Sequence, residues 1–180
     1  MTPWFIANGK FGPASGKSWQ EYIAWSGLLQ LDEVVSLDGL LCPTLLPEIK
    51  DEYWPHIVSE DFLLNFFIDL DYLLQETAST PNKNLLCVYR EPNEEPLTPN
   101  TPQAFEFLGF DLVEVGGSTS ALTNCGGFPD AFANIELTKK GLIVSHARAK
   151  QIQSELRHLH PDEHHANTNV WAILRANELS

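Results

Sequence analysis

The most regular apolar pattern in the chain runs from Leu63 to Leu74. Leu63, Phe66, Phe67, Leu70, Leu73 and Leu74 fall at i, i+3, i+4, i+7, i+10 and i+11, the spacing that lays side chains along one stripe of an α-helix. The pattern predicts a helix beginning after Ser59, with Glu60 and Asp61 favoured at its positive N-terminal end. A second helix is predicted from Ser18 as N-cap through Trp19, Tyr22, Ile23 and onward to Leu29, with Gly27 interrupting it. A third begins near Ser145 and places Ala149, Ile152, Leu156 and Leu159 on one face until Pro161 ends it.

The other apolar positions follow a different rule. Leu85 to Tyr89 is a continuous apolar run, the signature of a strand buried on both faces, whereas Phe105 to Val115 alternates. Val170 to Leu174 and Trp4 to Ala7 read as further strands, and Val34 to Leu37 as a shorter one closed by an Asp38-Gly39 turn. Pro92, Pro96, Pro99 and Pro102 mark residues 91–102 as a long exposed loop. The expected fold class is α+β: a mainly antiparallel sheet with two or three packed helices, in a single domain spanning residues 1–180.

Composition supports a self-sufficient core, with hydrophobic residues at 43% and charged residues at only 19%. The longest apolar runs fall far short of the ~20 residues that span a bilayer, so no membrane segment is expected. The start, Met1 to Ala7, has neither the basic nor the apolar region of a secretion signal. Cys42, Cys87 and Cys125 form neither a CxxC pair nor a disulfide framework. A cytoplasmic protein is the expectation from these features.

The net charge of −13 changes the picture further. Nucleic-acid affinity comes from Lys and Arg displacing counterions, so an acidic chain is not expected to read nucleic acid. The acid is concentrated: residues 32–76 carry 11 acidic side chains and one base, Lys50. Asp32, Glu33, Asp38, Asp51 and Glu52, with Tyr53 and Trp54 as exposed-aromatic candidates, therefore form the expected binding set for a basic protein partner. General solubility explains net acidity equally well.

Candidate chemistry is sparse, and no cofactor motif is complete. Gly12 to Ser18 approaches a phosphate-binding loop, but Phe11 stands where its first glycine belongs. Phe66-Phe67-Ile68-Asp69 imitates a strand that delivers a magnesium-binding aspartate, yet falls inside the predicted helix; on a helix, Asp69 and Asp71 would be a solvated pair. His158, His160, His164 and His165 crowd one stretch, and His160, His164 and His165 are candidate zinc or nickel ligands; a solvated helix end rich in histidine is the bland counterpart. Cys125, followed by Gly126 and Gly127, is a candidate nucleophile that would need a base such as His146, against the ordinary reading of a small buried thiol beside a tight turn.

Phe107-Leu108-Gly109-Phe110-Asp111-Leu112-Val113, Ser120 to Gly127 and Val170 to Leu174 together resemble a family of uncharacterised bacterial proteins, some of which are similar to immunity proteins of polymorphic toxin systems. The resemblance covers at most residues 84–175. It implies a cytosolic binding protein, and together with the acidic stretch from Asp32 to Glu76 it leads to the expectation of a non-enzymatic interaction protein, an immunity protein whose acidic face blocks a basic toxin. The competing expectation is a small enzyme using Cys125 or a metal held by the His158 to His165 cluster.

Overall fold

Leu85 to Tyr89 is apolar throughout because its strand lies between two layers of core. The structure is a computed structural model that describes residues 1–58, 64–94, 98–116, 119–124, 137–159 and 161–177. Strands β1 (Trp4–Gly9), β2 (Lys83–Arg90), β3 (Phe105–Glu114) and β4 (Thr168–Ala176) form one antiparallel sheet in the order β1-β2-β4-β3. Among the described residues there are three α-helices: α1 (Lys17–Ser26), α2 (Leu70–Glu76) and α3 (His146–Leu159). The architecture is α+β, as the sequence predicts.

On β2, Leu85, Cys87 and Tyr89 enter one core cluster with Trp19 and Tyr22 of α1, Leu70 and Leu73 of α2, and Ala149, Ile152 and Leu156 of α3. Leu86 and Val88 enter a second cluster with Ile6, Val35, Leu37, Phe66, Leu142 and Trp171. Among the described residues that second layer is built from irregular chain rather than helix, so its backbone groups need partners one by one. Val34 N–H donates to the Phe11 carbonyl at 2.9 Å and Val35 N–H to the Lys140 carbonyl at 3.0 Å. The predicted strand at Val34 to Leu37 is accordingly an extended covering segment with one isolated bridge, Phe11 to Val34.

β3 changes phase midway. Phe105 and Phe107 pack toward the helical cluster, a register shift follows between Phe107 and Gly109, and Phe110 and Leu112 return to the same cluster. One extra residue in a strand produces that reset. Gly109 has φ +143°, and a Cβ there would lie 2.7 Å from the Ile143 carbonyl oxygen and 2.9 Å from Leu142 Cβ. The close crossing of residues 142–143 over β3 requires a glycine.

The helices begin and end differently from the sequence pattern. α1 is capped at Gly16 rather than Ser18, and Gly27 terminates it: with φ +69°, its N–H donates to the Ile23 carbonyl at 3.0 Å. α2 is the largest departure. Residues 59–63 lie outside the described residues, and 64–69 are not helical. Phe67 instead exchanges two 2.8 Å backbone hydrogen bonds with Phe5, taking up that part of the outer edge of β1. The helix starts only after Asp69, whose carboxylate accepts the Tyr72 N–H at 3.0 Å as an N-cap. Tertiary pairing with the sheet edge outweighs helical periodicity here. On α3, Leu159 departs from the predicted apolar face and is exposed.

The proline-rich loop is tethered where it leaves β2. Glu91, at φ +46°, accepts from Val170 N–H at 2.8 Å and from Gln153 Nε2 at 2.7 Å, and pairs with Lys150. The His146 ring meets the Pro92 carbonyl at 2.6 Å. Burial opposes charge on Glu91, but Lys150, the Val170 amide and Gln153 outweigh it and hold the carboxyl below its ordinary range.

Candidate acidic binding face

Two chain segments distant in sequence close into one surface beside β1. The first carries the short 3-10 turn Asp51–Tyr53, and the second runs from Ile68 into α2. Ile68 N–H donates to the His56 carbonyl at 2.8 Å. The His56 ring stacks on Tyr72 with centroids 3.8 Å apart, and its Nδ1 meets Asp69 Oδ2 at 2.9 Å. Tyr53 hydroxyl donates to Glu76 at 3.1 Å while its ring packs edge-on against Phe67 and Tyr72.

The two segments carry five carboxylates, Asp51, Glu52, Asp69, Asp71 and Glu76, of which Asp69 and Asp71 line one groove. Lys50 lies over the Tyr53 ring and is within 4.0 Å of both Glu52 and Glu76. The Asp69 carboxyl is held below its ordinary value, first by the Tyr72 amide and then by His56. Trp54, directly after the turn, is 57% exposed, and Ile68, directly before Asp69, is 50% exposed.

The binding set expected from sequence does not stay together. Asp51, Glu52 and Trp54 are on this face, but Tyr53 is 1% exposed and serves as the pillar joining the two segments. Its hydroxyl finds a partner in Glu76, which allows the ring to be buried. Asp32 and Glu33 belong elsewhere: Lys140 pairs with both, and Arg175 reaches Glu33 at 2.8 Å. Burial raises the cost of charge on Glu33, yet those two cations hold its carboxyl below the usual range.

Asp38 is the clearest correction, being fully buried rather than part of an acidic surface. Its Oδ1 accepts Leu40 N–H, Leu41 N–H and Asn124 Nδ2 at 3.0, 3.0 and 3.1 Å, and its Oδ2 accepts Ser120 N–H at 2.8 Å. A second buried acid, Asp111 on β3, accepts the hydroxyls of Ser36 at 2.5 Å and Ser120 at 2.6 Å and the Leu37 amide at 3.3 Å. This knot ties the covering segment 36–41 to residues 120–124 under the sheet. Tyr22 adds a strut from α1, donating to the Thr123 carbonyl at 2.7 Å.

The enzymatic candidates gain no assembled site among the described residues. Cys125 and His160 lie outside them. His158 is exposed at the end of α3, His164 lies in a short turn, His164–Ala166, and His165 is buried. Among the described residues, no three His, Cys, Asp or Glu side chains gather as a metal-holding group. No helix of the described residues is long and apolar enough to cross a membrane. The loop at Gly12 to Ser18 is a helix entry, with Lys17 paired to Glu21 at 3.3 Å.

Sequence reasoning missed His56, Asp69, Tyr72 and Glu76 as parts of one face. A local signal for Asp69 was present, since an aspartate directly before Leu70 is a helix-start residue. The pairing of His56 with Asp69 had no local signal. Compared with known protein families, curated proteins and solved structures, the chain matches none.

Proposed function

We propose that this chain is a non-enzymatic binding protein that engages a basic protein through the face formed by residues 50–56 and 68–76. The observation that carries this reading is the acidity of the two joined segments, in which Lys50 meets only Glu52 and Glu76 among the acids while Asp69 and Asp71 line a groove beside the exposed Ile68, with Trp54 exposed as well. Acidic groups accelerate encounter with a basic partner, and a large exposed aromatic supplies the short-range anchor. A basic toxin is the specific partner that the resemblance to immunity proteins implies.

Affinity capture from the source cell at low salt tests the reading, with a triple variant Asp51→Asn, Glu52→Gln, Trp54→Ala run in parallel. The expected result is a basic protein retained by the wild type, released by high salt, absent with the variant, and less harmful to cells when the wild-type chain is co-produced. Recovery of no basic protein, or equal recovery with the variant, overturns it.

A further inference from the structure

A shallow groove of about 510 Å³ opens at one end of this face, lined by Pro3, Phe5, Pro55, Ile68, Asp69 and Pro102 among others. We infer that this groove is the subsite that receives a basic side chain of the partner, its apolar stem over Pro55 and Ile68 and its charged head against Asp69 and Asp71. The inference rests on the proposed basic-protein reading and narrows it to one segment of surface.

Three observations choose this occupant. The walls are apolar and unlike a water-filled polar cleft: three prolines, Phe5, Ile68 and Leu70 face the groove, and Ile68 is half exposed. The rim is acidic, because Asp69 and Asp71 both line it and, among the described residues, its lining includes no lysine or arginine. Arginine and lysine carry a long apolar stem ending in a cation, which matches an apolar trough with carboxylates at its end. The third observation excludes strand addition as the way in. Phe5, at the floor, already exchanges both backbone hydrogen bonds with Phe67 at 2.8 Å. A bound segment is therefore recognised through its side chains and not through a backbone ladder.

Asp69 and Asp71 divide the work. Asp69 already caps α2 and meets His56, so its position is fixed before any ligand arrives. Asp71 is exposed in the first turn of the helix. The fixed carboxylate sets where the cation stops, and the exposed one adds a second charge at little structural cost.

The test uses the full chain and two peptide probes, acetyl-Leu-Arg-Leu-Arg amide and the same peptide with citrulline in place of arginine, followed by amide chemical shifts in 15N-labelled protein. Shifts from the arginine peptide are expected at Ile68, Asp69, Asp71 and Thr101, with the citrulline peptide much weaker. The variant Ile68→Ser, Asp71→Asn changes two exposed positions and leaves the Asp69 cap intact; it is expected to weaken the arginine peptide roughly tenfold. Asp51→Asn with Glu52→Gln serves as the control, and should weaken binding far less. Shifts centred on Asp51 and Glu52, equal binding of the two peptides, no binding at all, or an unaffected double groove variant each overturn the subsite. If a basic protein is nevertheless captured in a Trp54-dependent manner, the broader reading stands and only the groove assignment fails.

Discussion

Replacing Asp111 probes the buried knot most directly, because its carboxyl is the common acceptor for three donors and is wholly enclosed. In Asp111→Ala the Ser36 hydroxyl, the Ser120 hydroxyl and the Leu37 amide lose their acceptor. Each orphaned buried group costs about 1–3 kcal/mol, and partial relaxation of the serines brings the sum to roughly 3–5 kcal/mol. For a domain of this size that corresponds to a fall in Tm of roughly 10–15 °C. Asp111→Asn keeps the shape but turns one acceptor into a donor facing a serine hydroxyl, so its cost is smaller, about 1–2 kcal/mol.

The pH dependence separates two accounts of the same residue. Burial pushes the Asp111 carboxyl above its ordinary value, and the charge of Asp38 adds to that, although the Ser120 and Ser36 hydroxyls and the Leu37 amide pull the other way. A raised native pKa means that the folded state binds the proton more tightly than the unfolded state. Its stabilising contribution is present at low pH and is lost as pH rises from the ordinary value of 3.8 through the native one. Asparagine does not titrate, so the penalty of Asp111→Asn relative to wild type should shrink as pH rises. Urea unfolding of both proteins across that range measures the difference with other carboxylates held in common. A penalty that grows with pH would show that the native state stabilises the charged carboxylate, and would refute the reasoning.

Three further outcomes follow from single contacts. Gly109→Ala should destabilise the fold by about 3 kcal/mol, because the new methyl meets the Ile143 carbonyl oxygen at 2.7 Å on a backbone that alanine rarely adopts; thermal unfolding measures it, and an unchanged Tm would mean that β3 and residues 142–143 separate easily. Glu91→Gln removes the charge that pairs with Lys150, and since the Glu91 carboxyl is held below its ordinary value, its contribution should be present near neutrality and vanish as pH falls through the native pKa; a stability difference from wild type that persists in strong acid contradicts this. Cys42 and Cys87 are buried with thiols pushed up to about 12 by desolvation, so peptide-level mass spectrometry after alkylation at neutral pH should find both unmodified until the chain is unfolded, and rapid labelling of either would contradict the packing.

Elements whose environment is encoded in local period were legible along the chain. β2 was legible because a strand covered on both sides has no polar face, and α3 because Ala149, Ile152 and Leu156 repeat at helical spacing and are buried. The concentration of acid between residues 32 and 76 was equally plain, as charge can be counted without a fold. What that acid does depends on the folded surroundings of each carboxylate. Asp38, Asp51 and Glu33 look alike along the chain, yet one is enclosed by four donors, one is exposed beside Trp54, and one is neutralised by Lys140 and Arg175. The same holds for Phe67, whose helical spacing yields to a pair of backbone bonds with Phe5 near the N-terminus. A carboxylate's role depends on which donors surround it, and a residue's backbone on which edge it can satisfy. Both are set by contacts between segments distant in sequence, such as His56 with Asp69 and Ser36 with Asp111.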